Sequence, residues 1–263
     1  MSDLTRLVVL GSSMCLAMMF LLWLLHLRLR NAAVVDVGWT AGLGLLALLY
    51  AWLGPGWAVR RAMVAIIGGL WSWRLAAHLA HRVANEPEDG RYQELRERWG
   101  GNTRLKFLFF FLFQGVIDVV LSVPFLAAAL NGHTVVGAFE IAGLALWVIA
   151  LGGESVADRQ LRAFKANPAN KGRVCQAGWW HYSRHPNYFF EWLVWCAFFV
   201  FALGSPWGWL AIICPVVMLY LLLRVTGIPA TEKHAVRSRG EEYREYQRTT
   251  SAFVPLPRTA SRR

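Results

Sequence analysis

Hydrophobic stretches long enough to cross a lipid bilayer recur along this 263-residue chain. A transmembrane helix needs about 17–25 mostly apolar residues, and such stretches occur at 5–27, 36–53, 62–81, 107–130, 134–153, 187–204 and 206–223. None of them shows the alternating pattern of a barrel strand, and a helix satisfies its own backbone hydrogen bonds in lipid. The sequence therefore predicts an all-α, polytopic membrane bundle of about seven transmembrane helices, formed by a single domain over residues 1–263.

The distribution of charge predicts how this bundle is oriented. The chain carries a formal net charge of +11, although 56% of its residues are hydrophobic. Lys and Arg accumulate in cytoplasmic loops, and 23 of the 27 fall on one side if the N-terminus lies outside. We therefore predict a cytoplasmic C-terminus, with 82–106, 159–186 and 224–263 as cytoplasmic loops and tail. The basic excess indicates membrane topology and not nucleic-acid binding, and part of it is available to an anionic ligand or to membrane lipids.

The cysteines argue against a disulfide-bonded or metal-binding protein, and the first apolar stretch argues against a removable signal peptide. Cys15, Cys175, Cys196 and Cys214 show no CxxC or metal-ligand spacing, which indicates packing roles without a disulfide or a bound metal. The first stretch lacks the small-residue cleavage site of a removable signal peptide. We expect residues 5–27 to stay as a membrane anchor.

The segment 178–192 carries a polar cluster directly into an apolar stretch. The polar residues at the mouth of the predicted helix are Ser183, Arg184, His185 and Asn187. Glu191 lies one turn inside, and the i, i+4 spacing places Asn187 and Glu191 on one helix face. A carboxylate inside lipid is costly unless it faces a partner, a cavity or a ligand. The sequence therefore predicts a functional site here, with Pro186 in the first turn of the helix.

Other ionisable residues at membrane depth form a second group of candidates, because buried charge in a membrane is usually functional. Trp71, Arg74, His78 and Arg82 follow 3, 4, 4 spacing, which predicts one polar stripe along a helix. The alternative for Arg74 is a structural role that ties helices together.

Carboxylates near the ends of two further stretches have two interpretations each. The spacing is four residues from Glu154 to Asp158 and four from Asp158 to Arg162. It indicates either a functional stripe or an ion pair at a solvated helix end. Asp36 begins the second stretch, where it is either an N-cap or, if buried, a proton donor.

Small and polar residues inside other stretches predict contacts between helices. The run Gly42-Leu-Gly44-Leu-Leu-Ala47 matches a dinucleotide-loop spacing, but it lies inside an apolar stretch with no strand before it. It therefore predicts small-residue helix packing. Asp118 and Glu140 have no polar company nearby, which favours interhelical polar contacts for both.

Several motifs occur together in a way that is typical of one enzyme family. They are GESVADRQLR at 153–162, KGR at 171–173, SRHPNYFFE at 183–191, EEYREYQ at 241–247 and FVP at 253–255. This set resembles the C-terminal half of steroid 5-alpha-reductase-type membrane enzymes. The earlier motifs at 35–39 and 88–92 resemble the bacterial branch of that family. The resemblance is strongest from about residue 140 to 257, and it implies a protein of the bacterial inner membrane.

The resemblance implies an NADPH-dependent reductase that acts on a carbon-carbon double bond conjugated to a carbonyl in a steroid-, isoprenoid- or lipid-like substrate. Asn187 and Glu191 match the family's Asn-x-x-x-Glu, which is implied to bind the nicotinamide end of the cofactor. Tyr243 and Tyr246 match an aromatic tail that folds over the dinucleotide. The other residues implied at the cofactor are Glu154, Asp158, Arg162, Lys165, Arg173, Arg184, His185 and Tyr188.

This chain departs from the steroid reductases at three positions. Glu154 stands where they have Asn, and Trp71 stands where they have a catalytic Tyr three residues before an Arg. Indole N–H donates a hydrogen bond but is no practical proton donor. Asp36 is the counterpart of their partner Glu. The catalytic candidates are therefore Asp36, Trp71 and Arg74.

Two other classes of function compete with the reductase. The motif Arg-His-Pro-x-Tyr also resembles isoprenylcysteine carboxyl methyltransferases, in which Arg184, His185 and Tyr188 would hold S-adenosylmethionine. Asn187 and Glu191 favour the reductase. A transporter is the third class, but the chain lacks the inverted repeat that is common in transporters.

Overall fold

The structure, a computed structural model, describes residues 2–259, and no β-strand forms within them. The all-α prediction is confirmed. The helices form two compact units. The first unit comprises the described residues up to Ile141 together with Val200–Ala211, and the second comprises Ala142–Phe199 together with the described residues from Ile212 onward. The prediction of a single domain stays a prediction.

The first unit contains helices α1 to α6. Their bounds are α1 Asp3–Leu29, α2 Val34–Leu53, α3 Ala58–Asn85, α4 Gly90–Trp99, α5 Thr103–Leu121 and α6 Val123–Leu130. Ser2 caps α1 by accepting a hydrogen bond from the backbone N–H of Thr5. The pair α5 and α6 bends by 40° at Ser122, because Pro124 in the first turn of α6 has no N–H to continue the ladder of α5.

The remaining helices are α7 to α11, of which α7 begins in the first unit and continues into the second. Their bounds are α7 Ala138–Ala166, α8 Trp179–Tyr182, α9 Pro186–Ala202, α10 Ile213–Tyr220 and α11 Ile228–Thr249. Short 3₁₀ turns occupy Pro168–Asn170 and Gly208–Ile212, and a π-helical turn at Leu221–Val225 follows α10. Gly240 has φ of +56°, so α11 is kinked there.

Within residues 2–259, five helical segments are long and apolar enough to span a membrane, which is the character of an integral multi-pass membrane protein. They are α1, α2, α3, α7 and the continuous segment Gly208–Thr249. The bent pair α5 and α6 makes a sixth if it is one span. Helix α9 is apolar but has only 17 residues, which is about the lower limit for crossing a bilayer. The count of seven and the orientation stay predictions.

Small residues let α2 pack closely within the first unit. A Cβ atom added at Gly44 would lie 2.1 Å from Ser72 Oγ, and one added at Gly42 would lie 2.6 Å from Asp118 Oδ2. The prediction of small-residue packing is confirmed. Asp118 lies buried between helices, but its carboxylate oxygens have no hydrogen-bond partner among the described residues. The polar contact predicted for it is wrong, because the facing surface of Gly42 offers no donor.

Glu140 forms the interhelical contact predicted for it. Its Oε1 accepts from Nε of Arg60 at 2.9 Å, and its Oε2 accepts from the N–H of Gly137 at 2.9 Å. The other guanidinium N–H groups donate to the carbonyls of Asn131, His133 and Val135. Both charged side chains are only 2% exposed. The pair therefore joins α3, the start of α7 and the connection between α6 and α7.

Candidate functional site

The mouth of α9, residues 178–185, is fixed by the C-terminal segment of the second unit. Ser183 Oγ donates to the carbonyl of Phe253 at 2.8 Å. The N–H of Arg184 donates to the carbonyl of Ser251 at 2.9 Å. These bonds tie the polar segment to the chain that follows α11.

Glu232 of α11 contacts the side chains of both Arg184 and His185 in this mouth. Its Oε1 lies 2.6 Å from Arg184 Nε and 3.3 Å from His185 Nε2. Its Oε2 accepts from Gln247 Nε2 at 2.8 Å. Sequence reasoning missed Glu232, because no spacing connects it with an arginine 48 residues earlier. Arg184 and His185 thus share one partner from the tail, and their role at a cofactor stays a prediction.

The buried imidazole of His185 should make stability depend on pH. Burial lowers the pKa of His185, and the hydrogen bond that its Nε2–H donates to Glu232 opposes this only in part. When the pH falls below 6.5, the ordinary pKa of histidine, this imidazole therefore binds a proton in the unfolded chain but remains neutral in the folded protein. We expect full stability above pH 6.5 and a progressive loss as the pH falls towards the lowered pKa of the folded state.

Thermal melts in detergent between about pH 5.5 and 7.5 measure this dependence. His185→Gln should flatten the pH dependence, whereas His181→Gln, which changes an exposed histidine, should leave it as it is. An equally steep loss in the His185 variant would show that another group is responsible.

The two predicted tail tyrosines are buried against the mouth. The O–H of Tyr246 is directed at the carbonyls of Trp180 and Ser183, the latter at 3.0 Å. Tyr243 packs edge-on against Tyr246 with ring centroids 5.8 Å apart, in a cluster with Val174. The tail is therefore docked on the mouth, and its role over a dinucleotide stays a prediction.

Two predicted carboxylates lie buried near a close contact between α7 and α9. A Cβ atom at Gly153 would lie 2.3 Å from the ring of Phe190, so only glycine allows this approach. Glu154 and Glu191, the next residue in each helix, are both buried. Glu191 accepts from Trp195 Nε1 at 3.0 Å. Two buried carboxylates therefore lie beside the contact between α7 and α9.

The aromatic ring of Tyr188 completes the start of α9. It stacks on His185 at 5.3 Å with an interplanar angle of 6°. Its hydroxyl lies 3.1 Å from Thr231 Oγ1. Asn187, beside it, is partly exposed. The face predicted to bind the cofactor is therefore open at Asn187 and closed at Glu191.

A basic cavity of about 390 Å³ lies beyond the C-terminal end of α7. Its charged lining residues are Lys165, Lys171, Arg173 and Arg239. The rest of the lining is apolar, glycine, asparagine or cysteine, and contains no carboxylate. Lys165 and Arg173 were predicted at a cofactor, and here they line one space. Sequence reasoning assigned no role to Lys171 or Arg239.

Two other predicted residues lie on α7 outside this lining. Arg162 is exposed and Asp158 is partly buried. All four cysteines are free thiols, and Cys175 lines the cavity. Among residues 2–259, no group of three or more His, Cys, Asp or Glu lies close enough together to hold a metal ion.

Asp36 lies in a polar network of the first unit. Its Oδ2 accepts from Arg91 Nη2 at 3.0 Å, and its Oδ1 accepts from the O–H of Tyr92 at 2.6 Å. The N-cap interpretation is wrong, because Ala33 occupies that position of α2. The two early motifs recognised in the sequence, at 35–39 and at 88–92, therefore meet through their side chains.

Asp89 and Arg91 stiffen this network. Asp89 caps α4 and also accepts from the guanidinium of Arg91 at 3.1 Å and from Arg82. Burial, and next the negative charge of Asp36, raise the pKa of Tyr92 well above its ordinary value. The phenol therefore stays protonated at neutral pH beside a carboxylate acceptor.

The predicted stripe on α3 leads into the same network. Trp71 is fully buried and meets Trp39 edge-on at 6.2 Å. Arg74, three residues later, is partly buried. Arg82, at the other end of the stripe, binds Asp89. The catalytic roles of Trp71 and Arg74 stay predictions.

Comparison with known proteins identifies the family. No curated protein and no solved structure matches the chain significantly. A family model described as a protein of unknown function, DUF1295, matches residues 22–250. That range includes the Asp36 network, the basic cavity and the mouth of α9. The chain therefore belongs to the DUF1295 family.

Proposed function

We propose that this protein is a membrane oxidoreductase that uses NADPH to reduce a carbon-carbon double bond conjugated to a carbonyl in a hydrophobic substrate. The observation that carries the proposal is the basic cavity, where Lys165 and Arg173 line one space. Their separate assignment to the cofactor came from the resemblance to steroid 5-alpha-reductase-type enzymes. That resemblance also supplies the reaction class, with a steroid-, isoprenoid- or lipid-like substrate from the bilayer.

The charge of the cavity fits a phosphorylated dinucleotide. NADPH carries several phosphate groups, whereas S-adenosylmethionine has none and bears a cationic sulfonium. Four cationic side chains without a carboxylate in the lining attract phosphate and disfavour a cation. This favours NADPH over the methyl donor of the alternative interpretation.

The residues of α9 would bind and orient the cofactor, which supplies the hydride when bound. Asn187 and Glu191 offer an amide and a carboxylate on one helix face, which suits the carboxamide of a nicotinamide. Arg184 and His185 act as positioning residues in this proposal, because their bonds to Glu232 hold the first turn of α9.

Reduction of a conjugated carbonyl also needs a proton, because negative charge builds on the carbonyl oxygen. We assign proton supply to the pair of Asp36 and Tyr92, whose oxygens lie 2.6 Å apart. Tyr92 can give its proton to the substrate, and Asp36 can then relay a proton from water to the phenolate that this leaves. Arg91, at 3.0 Å from Asp36, holds the carboxylate in place. Trp71 and Arg74 are proposed as hydrogen-bond donors to the substrate.

A panel of steroid, isoprenoid and fatty enones tests the proposal through NADPH oxidation by the detergent-purified protein. We expect at least one class to accelerate oxidation with equimolar loss of the double bond. Glu191→Ala should weaken NADPH binding by roughly tenfold or more while the protein stays folded, and Glu241→Ala, at an exposed site, should leave the affinity as it is. Full affinity in Glu191→Ala, with no active enone, would remove the reductase assignment.

A further inference from the structure

The basic cavity is built on an ordered turn after α7. Asn167 caps the 3₁₀ turn by accepting from the N–H of Ala169 at 3.0 Å, and Asn170 Nδ2 donates to the carbonyl of Phe164 at 2.9 Å. Gly172 has φ of +81°, a conformation that favours glycine. The turn is therefore held by groups other than the side chains of Lys171 and Arg173, which remain available to a ligand.

Arg239 of α11 closes the other side of the cavity. Its Nε donates to the carbonyl of Arg173 at 3.0 Å. This contact uses one of the five N–H donors of the guanidinium and fixes the side chain against the turn. The kink at Gly240 follows directly, so Arg239 lies at the end of a helical segment.

The carboxylates near the cavity make contacts with groups outside its lining. Glu242 Oε1 accepts from the N–H of Val174 at 3.0 Å, and Glu242 is not part of the lining. Arg244 and Arg248, farther along α11, pair with Glu241 outside the cavity. The lining therefore concentrates positive charge that its own residues do not balance.

We infer that this cavity binds a phosphate monoester, and that Lys171 and Arg239 make the protein selective for phosphorylated ligands. A monoester carries about −1.5 to −2 charges at neutral pH and three strong acceptor oxygens. Arginine and lysine are the side chains that bind such groups. Two classes of ligand offer this group to the cavity: a dinucleotide with an adenosine 2′-phosphate, and a phosphatidic acid from the membrane. Only the first source rests on the proposed function.

Equilibrium dialysis with the full-length, detergent-purified protein tests the inference. The probes are 2′,5′-ADP against adenosine, and short-chain phosphatidic acid against short-chain phosphatidylcholine. The variant is Lys171→Gln with Arg239→Gln, and the matched control, Arg244→Gln with Arg248→Gln, removes the same charge from exposed positions. The phosphorylated probe should bind roughly tenfold or more weakly to the variant and change by less than about twofold in the control.

The pattern of binding decides both the inference and its source. Binding of 2′,5′-ADP that depends on Lys171 and Arg239 supports the dinucleotide, and a fall in the NADPH-to-NADH affinity ratio of the variant should accompany it. Binding of phosphatidic acid alone supports the phosphate site with a lipid as its ligand. Binding of neither probe, or an equal loss in the control, overturns the inference.

Failure of the proposed function is distinguishable from failure of this inference. If 2′,5′-ADP binds and no enone is reduced, the reductase proposal fails while the phosphate site stands. If enones are reduced and the Lys171 and Arg239 variant keeps its NADPH-to-NADH ratio and its affinity for both 2′,5′-ADP and phosphatidic acid, the inference fails alone.

Discussion

Replacement of Glu140 by Ala is expected to lower the free energy of unfolding by about 3–5 kcal/mol. The change leaves the guanidinium of Arg60, which is almost completely buried, without its carboxylate. The three carbonyls that Arg60 also binds compensate only part of the lost charge interaction. Chemical unfolding in mixed micelles, followed by circular dichroism, measures the loss.

Asp3→Ala provides the matched control for this prediction. Asp3 also pairs with an arginine, Arg6, but both side chains are about half exposed, and exposed ion pairs contribute about 0–1 kcal/mol. The control should therefore unfold close to the parent protein. A loss in Glu140→Ala no larger than that in Asp3→Ala would contradict the role assigned to the buried pair.

Removal of the phenol of Tyr92 should have the largest effect on turnover. General acid catalysis contributes about 10²–10⁴-fold, so Tyr92→Phe should lower kcat with the best enone by roughly 100-fold or more. Asp36→Asn should lower it similarly, because an amide cannot relay a proton from water to the Tyr92 phenolate. NADPH affinity should stay within about twofold of the parent value in both variants.

Tyr220→Phe is the control for loss of a phenol, because Tyr220 is 62% exposed on α10. Tyr92 also packs among apolar residues of the first unit, so the thermal midpoint of each variant must be compared as well. A folded Tyr92→Phe protein with parental kcat would remove this pair from the chemistry. Loss of activity that follows only the thermal midpoint would assign Tyr92 a structural role.

Much of the helical architecture could be predicted from the length of the apolar stretches. Stretches such as 5–27 and 36–53 became α1 and α2, because a continuous apolar stretch of this length favours a helix that can span a membrane. Length does not predict where a helix bends, and the stretch 107–130 breaks at Ser122, before Pro124. Nor does it predict the π-helical turn at Leu221–Val225, which depends on how the ends of α10 and α11 pack.

The candidate site was predictable where its residues repeat along one helix. Asn187 and Glu191 were found by i, i+4 spacing, and Lys165 and Arg173 by motif. Glu232, Arg91, Lys171 and Arg239 had no assigned role, although Arg91 and Lys171 lay within recognised motifs. Asp36 meets Arg91 from 55 residues away, and such long-range contacts leave no periodic signal.

Binding of cofactor by the detergent-purified protein distinguishes the reductase from the methyltransferase. Titration with NADPH and with S-adenosylmethionine, at one salt concentration, compares the two dissociation constants. We expect NADPH to bind roughly tenfold or more tightly, because the lining of the cavity near α7 carries four cations and no carboxylate. Tighter binding of S-adenosylmethionine would contradict the reductase and support the methyltransferase.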